Sequence, residues 1–376
     1  MEAPQKKFVA TQVLLPIAYG SEETEVVTLV DVFRGGGALV KVASVENDIQ
    51  IECSSGVKFV ADTFISDCES QIFDLVVLPG GMPGLERLQD CKVLRKITEA
   101  HAKEGRLYGS SSEASAVVLE KWGLLKGCQV DGMVTTSQGL GLTLDFSLSI
   151  AEQLFGKKIL NEELSSLMVP RGWNKCEVAK EEYNVDDWSL QNIPQVLVPI
   201  ANRSDEMEIV VVVDVLRRAK ANVVVASVED SLEIVAARGT KIVADRLFKD
   251  AILSNYDFIH LPGGWYGAQK LGSTEQLIDL LREHAESNKA YGVVCAAAVM
   301  LDTKGLLKGK KATTHPHYSN KLSDQSSVNV RVVIDGKLIT SFGTGSTMEY
   351  ALSIVEKLFG MERANEVAEA MAFSYP

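Results

Sequence analysis

The sequence has no apolar run near the roughly 18 residues a membrane helix needs; stretches such as Ile209 to Val213 have the length of strand or helix cores. No membrane partner is therefore expected. Basic charge is in deficit: 38 Lys+Arg stand against 50 Asp+Glu, a net charge of −12. That balance argues against a surface tracking nucleic-acid phosphates. Cysteine is sparse and scattered: the six residues Cys53, Cys68, Cys91, Cys128, Cys176 and Cys295 show no CxxC spacing and no small-domain disulfide framework. They read as reduced intracellular thiols, with neither a metal site nor any cofactor implied. The start, Met1 to Lys7, lacks a hydrophobic segment behind a basic region, so the cytoplasm, with the nucleus also open, is the expected location.

What is present is enough apolar material for full cores. The chain has 376 residues, 46% of them hydrophobic and 23% charged, which excludes disordered and low-complexity readings and suggests two domains. A repeat confirms the division. VLLPIAYGSEETEVVTLVDVF from Val13 is matched by VLVPIANRSDEMEIVVVVDVL from Val196, at an offset of 183 residues. At the same offset, Gly56 to Asp62 falls on Gly239 to Asp245, Leu78 to Gly81 on Leu261 to Gly264, and Tyr108-Gly109 on Tyr291-Gly292. A period this long means that each copy is a complete domain.

Within the second copy, strand-like runs (Val196 to Ile200, Asn222 to Val228, Lys241 to Ala244, Phe258 to Leu261, Ala290 to Val294) alternate with helix-like ones (Glu206 to Ala219, Glu275 to Ser287, Met348 to Phe359). Apolar strands separated by helices predict a largely parallel sheet covered on both faces, a doubly wound α/β domain. Residues 8–160 form the first domain and 191–376 the second. Between them, 161–190 match nothing in the repeat and read as a linker with a short terminal helix. Ligands in such sheets bind beyond the carboxyl ends of the strands.

Three strand ends matter there. The first leads into a helix carrying Glu206 and Glu208, the next of interest ends at Pro262-Gly263-Gly264, and a third ends at Val294, followed at once by Cys295 and an Ala-rich helix. A cysteine at a helix N-terminus after a sharp turn is presented outward, where the aligned peptides favour its thiolate. The N–H groups of Gly264 and Ala296 are candidate donors to a developing oxyanion. Glu208, recurring as Glu25 inside an otherwise apolar helix, is a candidate proton donor or general base. His315 is a candidate proton shuttle, with His317 and His260 as competitors; His284 reads as structural because His101 occupies its place in the other copy.

This set, together with the LPGG turn, the Thr-His-Pro segment and the closing TSFGTGSTMEYALSIVEKLFG, resembles the DJ-1/PfpI superfamily over nearly the whole chain, twice. The tandem arrangement is similar to that of the plant members. The resemblance implies flavodoxin-like α/β sandwich domains whose Cys, Glu and His convert glyoxal and methylglyoxal to hydroxy acids without glutathione or metal. It also implies a possible repair of early glycation adducts on proteins, and a cysteine oxidisable to a sulfinate. On it, Cys295 falls on the nucleophile, Glu208 on the acid, His315 on the histidine, and Gly264 with Ala296 on the oxyanion amides. Ala296 stands where the peptidase-like branch has His, which argues against proteolysis; Ala297-Ala298 replace the usual Gly or Ser then Pro.

The first copy departs further. Ser112 stands opposite Cys295, and His101 is the sole histidine before His260. Some 22 residues are missing where the Thr-His-Pro segment belongs, so this domain has a shortened C-terminal part. A serine without a base is a poor nucleophile. Glu25, Gly81 and Ser112 are thus a degenerate site, and the copy is expected to act as an internal, dimer-like partner unless the two copies pair across chains in a homo-oligomer. Two functions other than catalysis stay open: an oxidative-stress sensor or redox-dependent chaperone centred on Cys295, and a purely structural or partner-binding role.

Overall fold

The structure, a computed structural model, describes residues 10–125, 134–136, 140–157 and 180–375. The first copy contributes β1 (Gln12–Ile17), β2 (Leu39–Ser44), β3 (Gln50–Glu52), β4 (Lys58–Val60), β5 (Thr63–Phe64), β6 (Leu75–Leu78), β7 (Leu107–Ser110) and β8 (Val134–Thr136). The rest contributes β9 (Lys180–Tyr183), β10 (Gln195–Ile200), β11 (Asn222–Ser227), β12 (Glu233–Val235), β13 (Lys241–Val243), β14 (Arg246–Leu247), β15 (Phe258–Leu261), β16 (Ala290–Val294), β17 (Val332–Asp335) and β18 (Leu338–Ser341). Each copy is a mixed α/β lobe built on a parallel sheet. The orders are β5-β2-β1-β6-β7-β8 and β14-β11-β10-β15-β16-β18-β17-β9, and in the latter only β17–β18 is antiparallel.

Alternation along β1 and β10 sets the layers. Val13, Leu15, Ile17, Val196, Val198 and Ile200 point into one core shared by both lobes, whereas Leu14 and Leu197 point to the separate outer core of each lobe. A strand buried on both faces must be apolar throughout, which is why these runs lack polar alternation. The helices Glu23–Gly35 and Glu206–Arg218 pack against each other between the two sheets.

The junction between lobes repeats itself under the offset of the sequence. Arg34 donates to the Arg238 carbonyl at 3.0 Å, and Arg217, its counterpart, donates to the carbonyl of Ser55, the counterpart of Arg238, at 3.1 Å. Thr24 donates to Asp214 at 2.8 Å, and Arg218 to Glu22 at 2.7 Å.

Two expectations change. Lys241 to Ala244, read as a member of the parallel sheet, instead forms β13 in a four-stranded antiparallel sheet, β12-β13-β4-β3, that joins the lobes. It pairs on one side with β12 of its own lobe and on the other with β4, from a hairpin of the first lobe, which no local pattern reveals. The stretch expected as linker, 161–190, ends in β9, which pairs parallel with β17 at the edge of the second sheet. Trp188 is buried there and donates to the Gly336 carbonyl at 2.8 Å. The second lobe therefore begins before residue 191; residues 158–179, with the short helix expected there, lie outside those described. No counterpart of β17 is found in the first lobe among the described residues. No described helix is long and apolar enough to cross a membrane.

Candidate active site

The wholly buried strand β16 runs without a loop into the helix Ala296–Thr303, and Cys295 makes the corner at φ 56°, ψ −130°. An L-residue in this left-handed region is held there only by its surroundings. Three bonds do so: the Cys295 N–H donates to Ser341 O at 3.0 Å, while its carbonyl accepts from the Ala298 N–H at 3.3 Å and from the Thr314 hydroxyl at 2.7 Å. The methyl groups of Ala296, Ala297 and Ala298 are buried beneath. Cys295 itself is half-buried.

Glu208 arrives from the first turn of Glu206–Arg218, whose N-cap, Asp205, accepts the Glu208 N–H at 3.0 Å. The side chain is wholly buried. Its Oε2 accepts the Gly263 N–H at 2.6 Å. Oε1 has no N–H or hydroxyl donor, and the carboxyl meets the Cys295 thiol. Two glycines make this approach possible. A Cβ on Gly263 would lie 2.6 Å from the Cys295 Cβ and 2.7 Å from Glu208 Oε2, and one on Gly343 would lie 3.1 Å from Glu208 Oε1 and 3.4 Å from the sulfur. The glycine at Gly264 answers a different need: its φ is 79°, and a Cβ there would meet the Arg203 carbonyl at 2.5 Å.

Burial pushes the Glu208 carboxyl well above its ordinary range, and the charge of Asp205 adds to this. The direction of the shift favours the protonated form. Burial also pushes the Cys295 thiol up; ionised Glu208 and Asp205 add to this, while the N–H groups of Ala296 and Gly264 pull it back. The helix terminus expected to hold a thiolate is thus outweighed by burial in the bare site. With Glu208 protonated, however, its repulsion of the sulfur disappears and its O–H becomes a donor, leaving acid and amides on the same side. The two amides named from the sequence, Gly264 and Ala296, therefore do converge on the sulfur.

His315 opens the turn Pro316–Lys321, one residue after the threonine that ties this segment to the Cys295 carbonyl. Its Nδ1 accepts the His317 N–H at 3.2 Å, which in the neutral ring leaves the proton on Nε2. It lines a small cavity with Arg331, Phe342 and Gly343, the last being the glycine beside the sulfur. The competitors sit elsewhere. His260 is wholly buried between Tyr350 and the Glu208 carbonyl, and burial drives it down to about 3. His284, pushed down to about 4 by burial, is a core residue, and His317 is exposed.

The first lobe keeps the frame and closes it. Ser112 occupies the corner at φ 47°. Glu25 is wholly buried and accepts from the Gly80 N–H at 2.5 Å and from the hydroxyls of Ser111 and Ser112. Every carboxylate oxygen there has a donor, in contrast to Glu208. A Cβ on Gly81, at φ 97°, would meet the backbone of Gly20, Ser21 and Glu22, while the neighbouring Gly80 N–H donates to Glu25. Among the described residues, one group of acids lies close enough for a metal, Glu22, Glu23 and Asp214, with ligand atoms within 4.8 Å. It sits between the lobes, where Arg218, Ser54 and Ser55 already donate into it.

Reading single residues did not find Gly343, Thr314 or Asp205. Their signal lay in the neighbours: Gly343 within the Ser-Phe-Gly-Thr-Gly run, Thr314 beside His315, and Asp205 three residues before Glu208.

Residues 11–138 and 194–357 each match the DJ-1/PfpI family. The chain is 45% identical over 383 residues to Protein DJ-1 homolog A of Arabidopsis thaliana, covering 95% of this chain and 97% of that one. It is 31% identical over 173 residues to the Glutathione-independent glyoxalase DJR-1.2 of Caenorhabditis elegans, covering 46% of this chain and 91% of that one. Among solved structures, Toxoplasma gondii DJ-1, oxidized, matches at 36% identity with a TM-score of 0.46, covering 48% of this chain and 100% of that one.

Proposed function

Because this chain belongs to the DJ-1/PfpI family, as a tandem member with a family unit in each half, we propose that its second lobe converts small 2-oxoaldehydes to 2-hydroxy acids without glutathione. One observation carries the reading: a wholly buried carboxyl whose Oε1 has no N–H or hydroxyl donor faces the sulfur of a residue held at a strained corner.

The chemistry balances with water as the only co-reactant. The Cys295 thiol loses its proton to solvent as its sulfur adds to the aldehyde carbon, and Glu208 gives its proton to the new alkoxide oxygen, forming a hemithioacetal; the N–H groups of Gly264 and Ala296 are the donors for the charge that develops on that oxygen. Glu208, ionised after giving up its proton, removes the hydrogen on that carbon, and the electron pair forms an enediol with the neighbouring carbonyl. Reprotonation at the second carbon leaves a thioester of the 2-hydroxy acid. The first carbon has been oxidised and the second reduced. Water cleaves the thioester, with His315 as the proton carrier, and the thiol is restored. Methylglyoxal gives lactate and glyoxal gives glycolate. Early glycation adducts that release free aldehyde would be drained by the same route.

Purified protein incubated with methylglyoxal is expected to form lactate in the absence of glutathione, followed by proton NMR, and Cys295→Ala is expected to abolish it. Undiminished lactate formation by that variant sinks the reading. The same protonated neighbour supports a second role: a hydrogen bond from Glu208 would stabilise a Cys295 sulfinate, making the site an oxidation sensor.

A further inference from the structure

The site proposed above has a wall that a methyl group does not use. Trp265 follows Gly264 directly, at the start of the helix Trp265–Ser273, and Tyr318 comes from the Pro316–Lys321 turn that His315 opens. The two rings stack with centroids 4.8 Å apart and planes 27° from parallel. Lys321 places its Nζ 4.8 Å from the centre of the Trp265 ring, and His315 lies 5.8 Å from Tyr318. Tyr318 stands within the electrostatic reach of the Cys295 sulfur. Both aromatic residues are only half-buried: the stack rests on the outer core of the second lobe and keeps part of its surface exposed. In the lobe whose corner carries serine, the position of Trp265 is taken by Met82, 53% exposed.

Stacked rings beside a nucleophile offer a planar, apolar face to whatever the nucleophile binds. Resting on the reading of the preceding subsection, we infer that Trp265 and Tyr318 set the specificity of the Cys295 site for 2-oxoaldehydes bearing a flat aryl substituent. The aldehyde carbon is fixed at the sulfur by the Gly264 and Ala296 amides, and the substituent on the second carbon must then leave along one direction. The two segments that bracket Cys295, one following Gly264 and the other following Thr314, each carry one of the two stacked rings. An aryl group prolongs the stack, whereas a methyl group leaves it in water.

The test compares phenylglyoxal with methylglyoxal as substrates of the full chain. The kcat/KM ratio of aryl to alkyl substrate is expected to exceed 10 and to fall at least tenfold in Trp265→Leu and in Tyr318→Leu, while Trp265→Phe retains it. A ratio unchanged by both leucine variants overturns the inference. A second measurement needs no turnover: the rates at which phenacyl bromide and bromoacetone alkylate Cys295, read by intact mass, should show the same preference and the same loss. Absence of turnover with both aldehydes, with this alkylation preference intact, would overturn the glyoxalase reading and leave the aryl-selective wall standing; loss of the alkylation preference would overturn the wall.

Discussion

In the first lobe the Ser112 hydroxyl donates to Oε1 of Glu25, at the two positions where, in the second lobe, the Cys295 thiol faces Glu208. The backbone corner is common to both, with positive φ at Ser112 and at Cys295. What differs is the partner supply. Ser111, Ser112 and Gly80 saturate Glu25, whereas Glu208 has a single N–H donor, Gly263 on one oxygen, and otherwise meets the Cys295 thiol.

Restoring a thiol to the first lobe is therefore expected to be insufficient. In a Cys295→Ala background, Ser112→Cys should recover less than about one hundredth of wild-type lactate formation, since no histidine serves that corner and general acid–base groups contribute about 10²–10⁴-fold. Recovery to a tenth or more would show that the closed carboxylate is no obstacle.

Glu208→Gln should separate nucleophile from proton carrier. The amide keeps a donor beside the sulfur but cannot transfer a proton, so turnover is expected to fall by about 100-fold or more. Alkylation of Cys295 by iodoacetamide should change by less than about tenfold, because the Gly264 and Ala296 amides remain. Equal losses in both measurements would assign Glu208 to shaping the site alone.

Stability should carry the sign of the same carboxyl. Its folded-state pKa lies above the ordinary 4.5, so the protonated form is the one favoured by folding. Its contribution is full below the unfolded value and is lost as pH rises through the folded one. Relative to Glu208→Gln, which cannot titrate, the wild type should lose urea resistance between pH 5 and pH 9. A stability difference that stays flat across this range contradicts the assignment.

The lobe junction offers an independent test. Arg218 donates to Glu22 of the first lobe at 2.7 Å and to Asp214 at 2.8 Å, and Glu22 and Asp214 are buried. Arg218→Met leaves both carboxylates without a counter-charge and is expected to destabilise by about 3 kcal/mol in denaturant melts. A change under about 0.5 kcal/mol would mean that the junction rests on its apolar contacts.

Oxidation should be selective if the sensor role operates. Under mild peroxide, mass spectrometry is expected to find Cys295 gaining two oxygens ahead of Cys53 and Cys68, which are buried, and of half-buried Cys91. Comparable oxidation of all four removes support for that role.

Much of the fold was legible. Strands β10, β11, β15 and β16 and the helices Glu206–Arg218 and Glu275–Glu286 coincide with the periodic runs within a residue or two at each end, because a strand apolar on both faces and a helix with a polar stripe leave different local patterns. Two placements were not legible: β13, read correctly as a strand, joins the other lobe through β4 instead of the parallel sheet, and β9, read as linker, pairs at the sheet edge with β17, and both of these partners come from distant parts of the chain. In the site, residue type and position after a strand singled out Cys295, Glu208 and His315, while the glycines that admit them, Gly263 and Gly343, are explained only by distances to side chains from other elements.

The sequence by itself determined the duplication, the α/β class of each copy and the identity of the thiol, the acid and the serine that replaces the thiol, since these follow from repeated spacing and from chemistry intrinsic to each side chain. Only the tertiary structure decided that Glu208 keeps an oxygen free for the sulfur while Glu25 does not, that the thiol is pushed up by burial, and that one core runs through both lobes. Those outcomes depend on which groups from remote segments are brought within hydrogen-bond reach once water is excluded, and burial and donor supply are properties of the packed chain, not of any stretch of it.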